Sequence, residues 1–121
     1  MATRKTAQPH SEFDRVRAIG LALPRVEAVT HYDGSPRLKA EGVFMAGLAT
    51  HESAEPCSLV VRCELDDRQL LIEDAPDTYY VTGFYARYPL VLVRLAAVTD
   101  EALRDLLSVS HRMALGKTRR R

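Results

Sequence analysis

The chain has 121 residues, 46% of them hydrophobic and 27% charged, with a formal net charge of +1. That size and balance fit one domain with a single core, and no apolar run reaches the roughly 20 residues that a membrane helix needs. Six of the 17 basic residues sit at the two ends, leaving 11 against all 16 acidic residues in the body between 10 and 116, a balance of −5 that argues against a dedicated nucleic-acid binder.

Residues 1–9 are polar, lack apolar periodicity and read as a flexible N-terminal arm. They also lack the apolar middle of a secretory signal, so a cytoplasmic protein is expected. The folded domain is expected over 10–116, followed by a basic tail over 117–121. Ser11 reads as a helix N-cap, with Asp14 in the place of the capping-box carboxylate. Val16, Ile19, Gly20 and Leu23 follow at helical spacing and Pro24 closes the pattern, which predicts a helix over about 12–23.

Asp33-Gly34-Ser35-Pro36 is turn chemistry. RLKAE and VFMAGLAT then predict two strands joined tightly at Glu41-Gly42, and His51–Pro56 is a polar connection. In SLVVRCEL, Leu59, Val61, Cys63 and Leu65 fall on one face of a strand. Cys57 and Cys63 on one strand would lie roughly 20 Å apart, too far for a disulfide, which needs Cα atoms within about 7 Å. Two reduced thiols are therefore expected.

A short helix is predicted from Asp66, with Gln69 at its capping-box position, Leu70 and Leu71 as its apolar content, and Pro76 marking its end. A strand near Tyr79–Thr82, a loop over Gly83–Pro89 and a strand over Leu90–Ala96 complete the sheet. Thr99 caps the last helix, with Asp100 and Glu101 near the positive end of its dipole. Leu103, Leu106, Leu107, Ser110 and Met113 mark the buried face of that helix, and Gly116 is placed to end it in a left-handed turn. The order predicts an α+β, two-layer sandwich with a largely antiparallel sheet of about five strands and helices on one face.

The phrases VRAIGLALPRVE (16–27), GVFMAGL (42–48), DTYYVTGFYARYPLVLVRL (77–95) and DEALRDLLSVSHRM (100–113), in this order, resemble the MmcQ/YjbR family of small bacterial proteins. The resemblance implies a frataxin-like, or secretion-chaperone-like, sandwich and a DNA-binding role in which hairpin wings make contact. The chain departs from the family pattern at three places. Gly42-Val43 stands where relatives commonly have Gly-Lys, Thr82-Gly83-Phe84-Tyr85 where they have Thr-Pro-His-Tyr, and Leu90 where they have Trp. A role resting on that lysine or histidine does not carry over.

Arg37, Lys39, Arg62 and Arg94 each alternate with apolar neighbours. On a shared open sheet face they would form a positive stripe for phosphates. Arg87, set among Phe84, Tyr85 and Tyr88, would extend the stripe with rings for base stacking. The tail residues Lys117, Arg119, Arg120 and Arg121 would add a salt-sensitive affinity for any polyanion.

The plainer reading makes all of these the solvent side of a half-exposed sheet, with Glu41, Glu52 and Glu55 at the hairpin tips repelling phosphate. Val60, Leu90 and Leu92 on the same face suit a protein interface, and the tyrosines suit core packing or a small-ligand pocket. His10, His31, His51 and His111 lack metal-ligand spacing and the cysteines lack a CxxC arrangement. His31 and His111 are each candidates for a general base, but no nucleophile, base and orienting group can be assembled around them. There is also no glycine-rich phosphate loop. The sequence thus predicts a non-enzymatic module, without metal, cofactor or membrane partner, that contacts DNA through phosphates. The alternatives are a protein-interaction or homodimerising module and a small-ligand site near the tyrosine-rich loop.

Overall fold

The computed structural model describes residues 9–119, with side chains from 12 to 116. The elements run α1 (Pro9–Leu21), β1 (Val26–Thr30), β2 (Pro36–Ala40), β3 (Val43–Leu48), β4 (Ser58–Arg62), α2 (Leu65–Asp74), β5 (Tyr79–Tyr80), a 3-10 turn (Tyr85–Arg87), β6 (Leu90–Arg94) and α3 (Asp100–Arg119). The strands form one antiparallel sheet in the order β1-β2-β3-β4-β6-β5. β6 enters between β4 and β5, so those two run parallel and are joined across it through α2, as a parallel pair requires.

The α+β sandwich is as predicted, but the sheet has six strands rather than about five. The extra one is β1, an edge strand with no fully buried residue, so it has no hydrophobic alternation to announce it. Ser11 lies inside α1, which opens at Pro9, a residue suited to a first helical turn. Leu65 opens α2 and is 53% exposed instead of continuing the β4 face. α2 has Glu64 at its N-cap, and Gln69 bonds Glu73 at 3.1 Å rather than the backbone. Thr99 does cap α3, its Oγ1 accepting from the Ala102 amide at 3.1 Å. Gly116 does not end that helix, which continues to Arg119. Of the N-terminal arm, residues 1–8 lie outside the described residues, as do Arg120 and Arg121 of the tail.

The main core lies between the inner sheet face and the helices. Leu38, Met45, Leu59, Val61, Val91 and Val93 from the sheet meet Phe13 and Val16 of α1 and Leu103 and Leu107 of α3. Two polar groups in this layer are satisfied, as burial demands. Ser110 Oγ donates to the Met45 carbonyl at 3.0 Å, and His111 Nε2 donates to the Pro24 carbonyl at 2.8 Å. Arg15 ties the layers at their edge, donating to the Leu95 and Val98 carbonyls and to Asp100, each at 2.8 Å.

A β-bulge shapes the outer face. Leu38 pairs with Ala46 but Lys39 with Phe44, which makes Met45 an extra residue on β3. The bulge sends Met45 and Ala46 together into the core and turns Phe44 outward. At the β2–β3 turn, Glu41 (φ 50°) and Gly42 (φ 82°) both have left-handed backbone, as a tight two-residue hairpin turn requires. A Cβ at Gly42 would touch nothing, so Gly42→Ala should cost about 1–2 kcal/mol from backbone strain alone. Gly116→Ala, inside a helix, should instead be neutral or stabilising by up to about 1 kcal/mol. Urea denaturation should show a loss for Gly42→Ala and none for Gly116→Ala; equal losses would contradict the turn and helix assignments.

Candidate functional site

Register places Arg37 and Lys39 of β2, Phe44 and Gly47 of β3, Ser58, Val60 and Arg62 of β4, and Leu90, Leu92 and Arg94 of β6 on the outer sheet face. The four basic strand residues therefore share a face, but that face is not open. The segment after β5 folds back over it, and Tyr85 is buried with Val60 and Leu92 in a second, smaller core flanked by Phe44, Tyr80, Val81 and Leu90. The Tyr85 hydroxyl accepts from the His51 amide at 3.0 Å, which joins the folded-back segment to the β3–β4 connection. Arg68 of α2 grips the same segment from the other side, donating to the Ala86, Tyr88 and Leu90 carbonyls at 3.1–3.3 Å.

The basic residues consequently differ in what they can do. Arg94 makes a two-pronged bond to Glu55, Nε and Nη2 each 2.8 Å from a carboxylate oxygen. It also donates to the Pro76 carbonyl and lies over the Tyr80 ring, 4.3 Å from its centroid. Its charge is matched, and the Tyr80 hydroxyl holds the Glu55 amide at 2.8 Å and pairs with Ser58 Oγ. Arg62 is half-buried and donates to the Phe44 carbonyl at 2.8 Å; burial lowers its pKa. Glu41, at the hairpin tip, pairs with Arg25 at 2.9 Å.

The Arg37 and Arg87 guanidiniums lie on aromatic supports, and Arg87 Nε also donates to the Phe84 carbonyl at 3.3 Å. The Arg37 guanidinium lies 5.5 Å from the Phe44 ring centroid, and Arg87 lies 5.2 Å from Phe84 and 5.4 Å from Tyr88. Gly47 makes the first pair possible, because a Cβ there would sit 3.0 Å from the Arg37 stem and 3.3 Å from the Phe44 ring. Lys39, beside Phe44 in the register, has no ion-pair partner among the described residues. Lys117 and Arg119 fall in the last turn of α3, where side chains are not described.

Between these supports lies a groove of about 550 Å³ lined by Arg37, Phe44, His51, Phe84, Tyr85 and Tyr88. A smaller hollow of about 190 Å³ extends it along Phe44, Tyr88 and Arg62. His51 stacks flat on Phe84, with centroids 3.6 Å apart and 6° between planes, and its Nδ1 is held by Ser53. Phe84 and Tyr88 remain 37% and 44% exposed. Sequence spacing carries no sign of His51 in this site, because its stacking partner lies 33 positions away. Arg68 had no signal at all, since its role rests on three carbonyls.

His31 and His111 are not brought together: His111 staples α3 to Pro24, two residues before β1, and His31 packs on Tyr32 in the β1–β2 turn. No group of three His, Cys, Asp or Glu residues suited to a metal occurs among the described residues, and no described helix is long and apolar enough to cross a membrane. Neither cysteine is in a disulfide, and burial pushes the Cys63 thiol up to about 11.

The fold and groove define a small α+β protein with an aromatic and guanidinium cleft on the outer face of an antiparallel sheet. The sequence profile of the YjbR family matches residues 21–113. The chain belongs to the YjbR family. No curated protein matches the sequence.

Bonding to Arg94 holds the Glu55 carboxyl below its ordinary value of 4.5. The charged pair therefore adds stability above that pH, and the contribution is lost as pH falls through the lower folded-state value. Wild-type protein should lose stability across this acid range more steeply than Glu55→Gln, which carries no such charge. Superimposable profiles of urea midpoint against pH would contradict the pairing.

Proposed function

We propose that this protein is a non-enzymatic module that binds unpaired nucleic acid. A base would be taken into the groove among Phe44, His51, Phe84 and Tyr88, and the neighbouring phosphates would be neutralised by Arg37, Lys39 and Arg87. The observation that carries this reading is the groove itself, a cleft of about 550 Å³ walled by flat rings and the Arg37 guanidinium, with Arg87 lying on two of those rings, Phe84 and Tyr88. Single strands present both a stackable face and a phosphate at each nucleotide, and stacking contributes about 1–3 kcal/mol per base. Duplex binding across the whole face is disfavoured. Arg94 is matched by Glu55, Arg62 bonds the backbone, and the body of the domain is acidic.

The exposed Phe84 and Tyr88 also suit a protein interface, the second reading. Fluorescence anisotropy with labelled single-stranded and duplex oligonucleotides separates the two. Binding is expected for the single strand, weakening with added salt as phosphate contacts do. Arg37→Glu with Arg87→Glu should weaken it by more than about tenfold, and Phe84→Ala by about fivefold or more. Residues 117–121 should be dispensable for most of the affinity. No binding at low salt, or binding that vanishes only when 117–121 are deleted, would overturn the proposal; concentration-dependent dimerisation abolished by Tyr88→Ala would support the second reading.

A further inference from the structure

On the other side of the sheet, α2 packs mainly against β5 and β6, which leaves a groove of about 550 Å³ between it and α3. The groove is apolar along Leu70, Leu71, Leu106 and Val109. Leu70 is 63% exposed, a poor place for a leucine unless something covers it. Three carboxylates border the same groove: Asp67 and Asp74 of α2 and Asp105 of α3. None of the three has an ion-pair partner among the described residues. The one nearby guanidinium with a visible role, Arg68, is turned onto the carbonyls of residues 86, 88 and 90.

The second observation is Tyr79. It also lines the groove and is only 6% exposed, yet its hydroxyl makes no hydrogen bond among the described residues. Buried polar groups are almost always paired, and leaving one orphaned is costly. The charges of Asp105 and Asp74, after burial, raise its pKa, so the hydroxyl sits within their field. Tyr80, its neighbour on the outer face, has two hydroxyl partners, so of the two adjacent phenols only the inner one has an unmet hydrogen bond among the described residues.

We propose that the α2–α3 groove is a binding site for a small hydrophobic ammonium ion. Its apolar body would lie on Leu70, Leu71, Leu106 and Val109. Its N–H groups would be shared by the Asp74 and Asp105 carboxylates and the Tyr79 hydroxyl, with Asp67 adding to the field. A cation would be drawn to the carboxylates, and an N–H donor would satisfy the phenol oxygen; an anion would do neither. This site lies across the sheet from the aromatic groove and does not depend on what that groove binds.

The test uses n-octylammonium chloride, with octanoate and 1-octanol as matched probes, on the full chain by calorimetry and by amide chemical shifts. Saturable octylammonium binding is expected, with shifts centred on Cys63, Leu71, Tyr79 and Leu106. Octanol should bind at least about tenfold more weakly and octanoate not at all. Asp74→Asn with Asp105→Asn should weaken octylammonium by about tenfold, and Tyr79→Phe by a few-fold. The Asp→Asn changes are at exposed positions, so folding is expected to survive them, and unchanged amide shifts elsewhere check this. Equal binding of octanol, non-saturating shifts spread over the surface, or undiminished affinity in the double variant would each overturn the proposal.

Discussion

The Tyr85 anchor decides the character of the outer sheet face. An antiparallel sheet with helices on one side would ordinarily present its other side to water. Here the segment from 81 to 89 returns across that side, and the Tyr85 ring is buried on Val60 and Leu92 while its hydroxyl holds the His51 amide. Burying such a ring contributes about 2–3 kcal/mol, enough to hold a short segment that has only a few backbone bonds of its own. Once Tyr85 is seated, Phe84 is brought onto His51, Tyr88 and Arg87 are placed at the rim, and a flat basic stripe becomes a cleft with ring walls.

The two faces of the sheet then carry opposite chemistries. Outside, arginines lie on aromatic rings, and Glu41 and Glu55 are already matched by Arg25 and Arg94. Inside, beyond the core, α2 and α3 border a groove with three aspartates and a buried tyrosine whose hydroxyl has no hydrogen bond among the described residues. The β-bulge at Met45 contributes to this division. It lets two consecutive β3 residues enter the core and still turns Phe44 outward to support Arg37.

Most of the fold was legible in the sequence because its signals are local. Thr99 before α3, the Glu41-Gly42 turn, and the alternation through β4 and β6 each depend on a few adjacent residues. β1 was missed because an exposed edge strand has no apolar alternation, and Gly116 was misread because a glycine costs a helix only about 1 kcal/mol relative to alanine and does not by itself end it. For the site, alternation correctly put Arg37, Lys39, Arg62 and Arg94 on one face. It could not show that Arg94 would be matched by Glu55, 39 residues earlier, or that Arg62 would turn to the Phe44 carbonyl. Those assignments depend on side-chain reach between distant segments. The same holds for Arg68, whose grip on the folded-back loop leaves no trace in spacing.

The central claim is that Tyr85 seats this segment and thereby forms the cleft. Amide hydrogen exchange on wild-type protein and Tyr85→Ala tests it most directly. In the wild type, the His51 amide, bonded to the Tyr85 hydroxyl, and the Ala86 amide, bonded to the Thr82 carbonyl at 2.8 Å, should be protected. In Tyr85→Ala both should exchange at rates close to those of exposed loops, while amides of β3, β4 and α3 keep their protection. Rapid exchange at His51 and Ala86 in the wild type, or protection there that survives loss of the ring, would contradict the account.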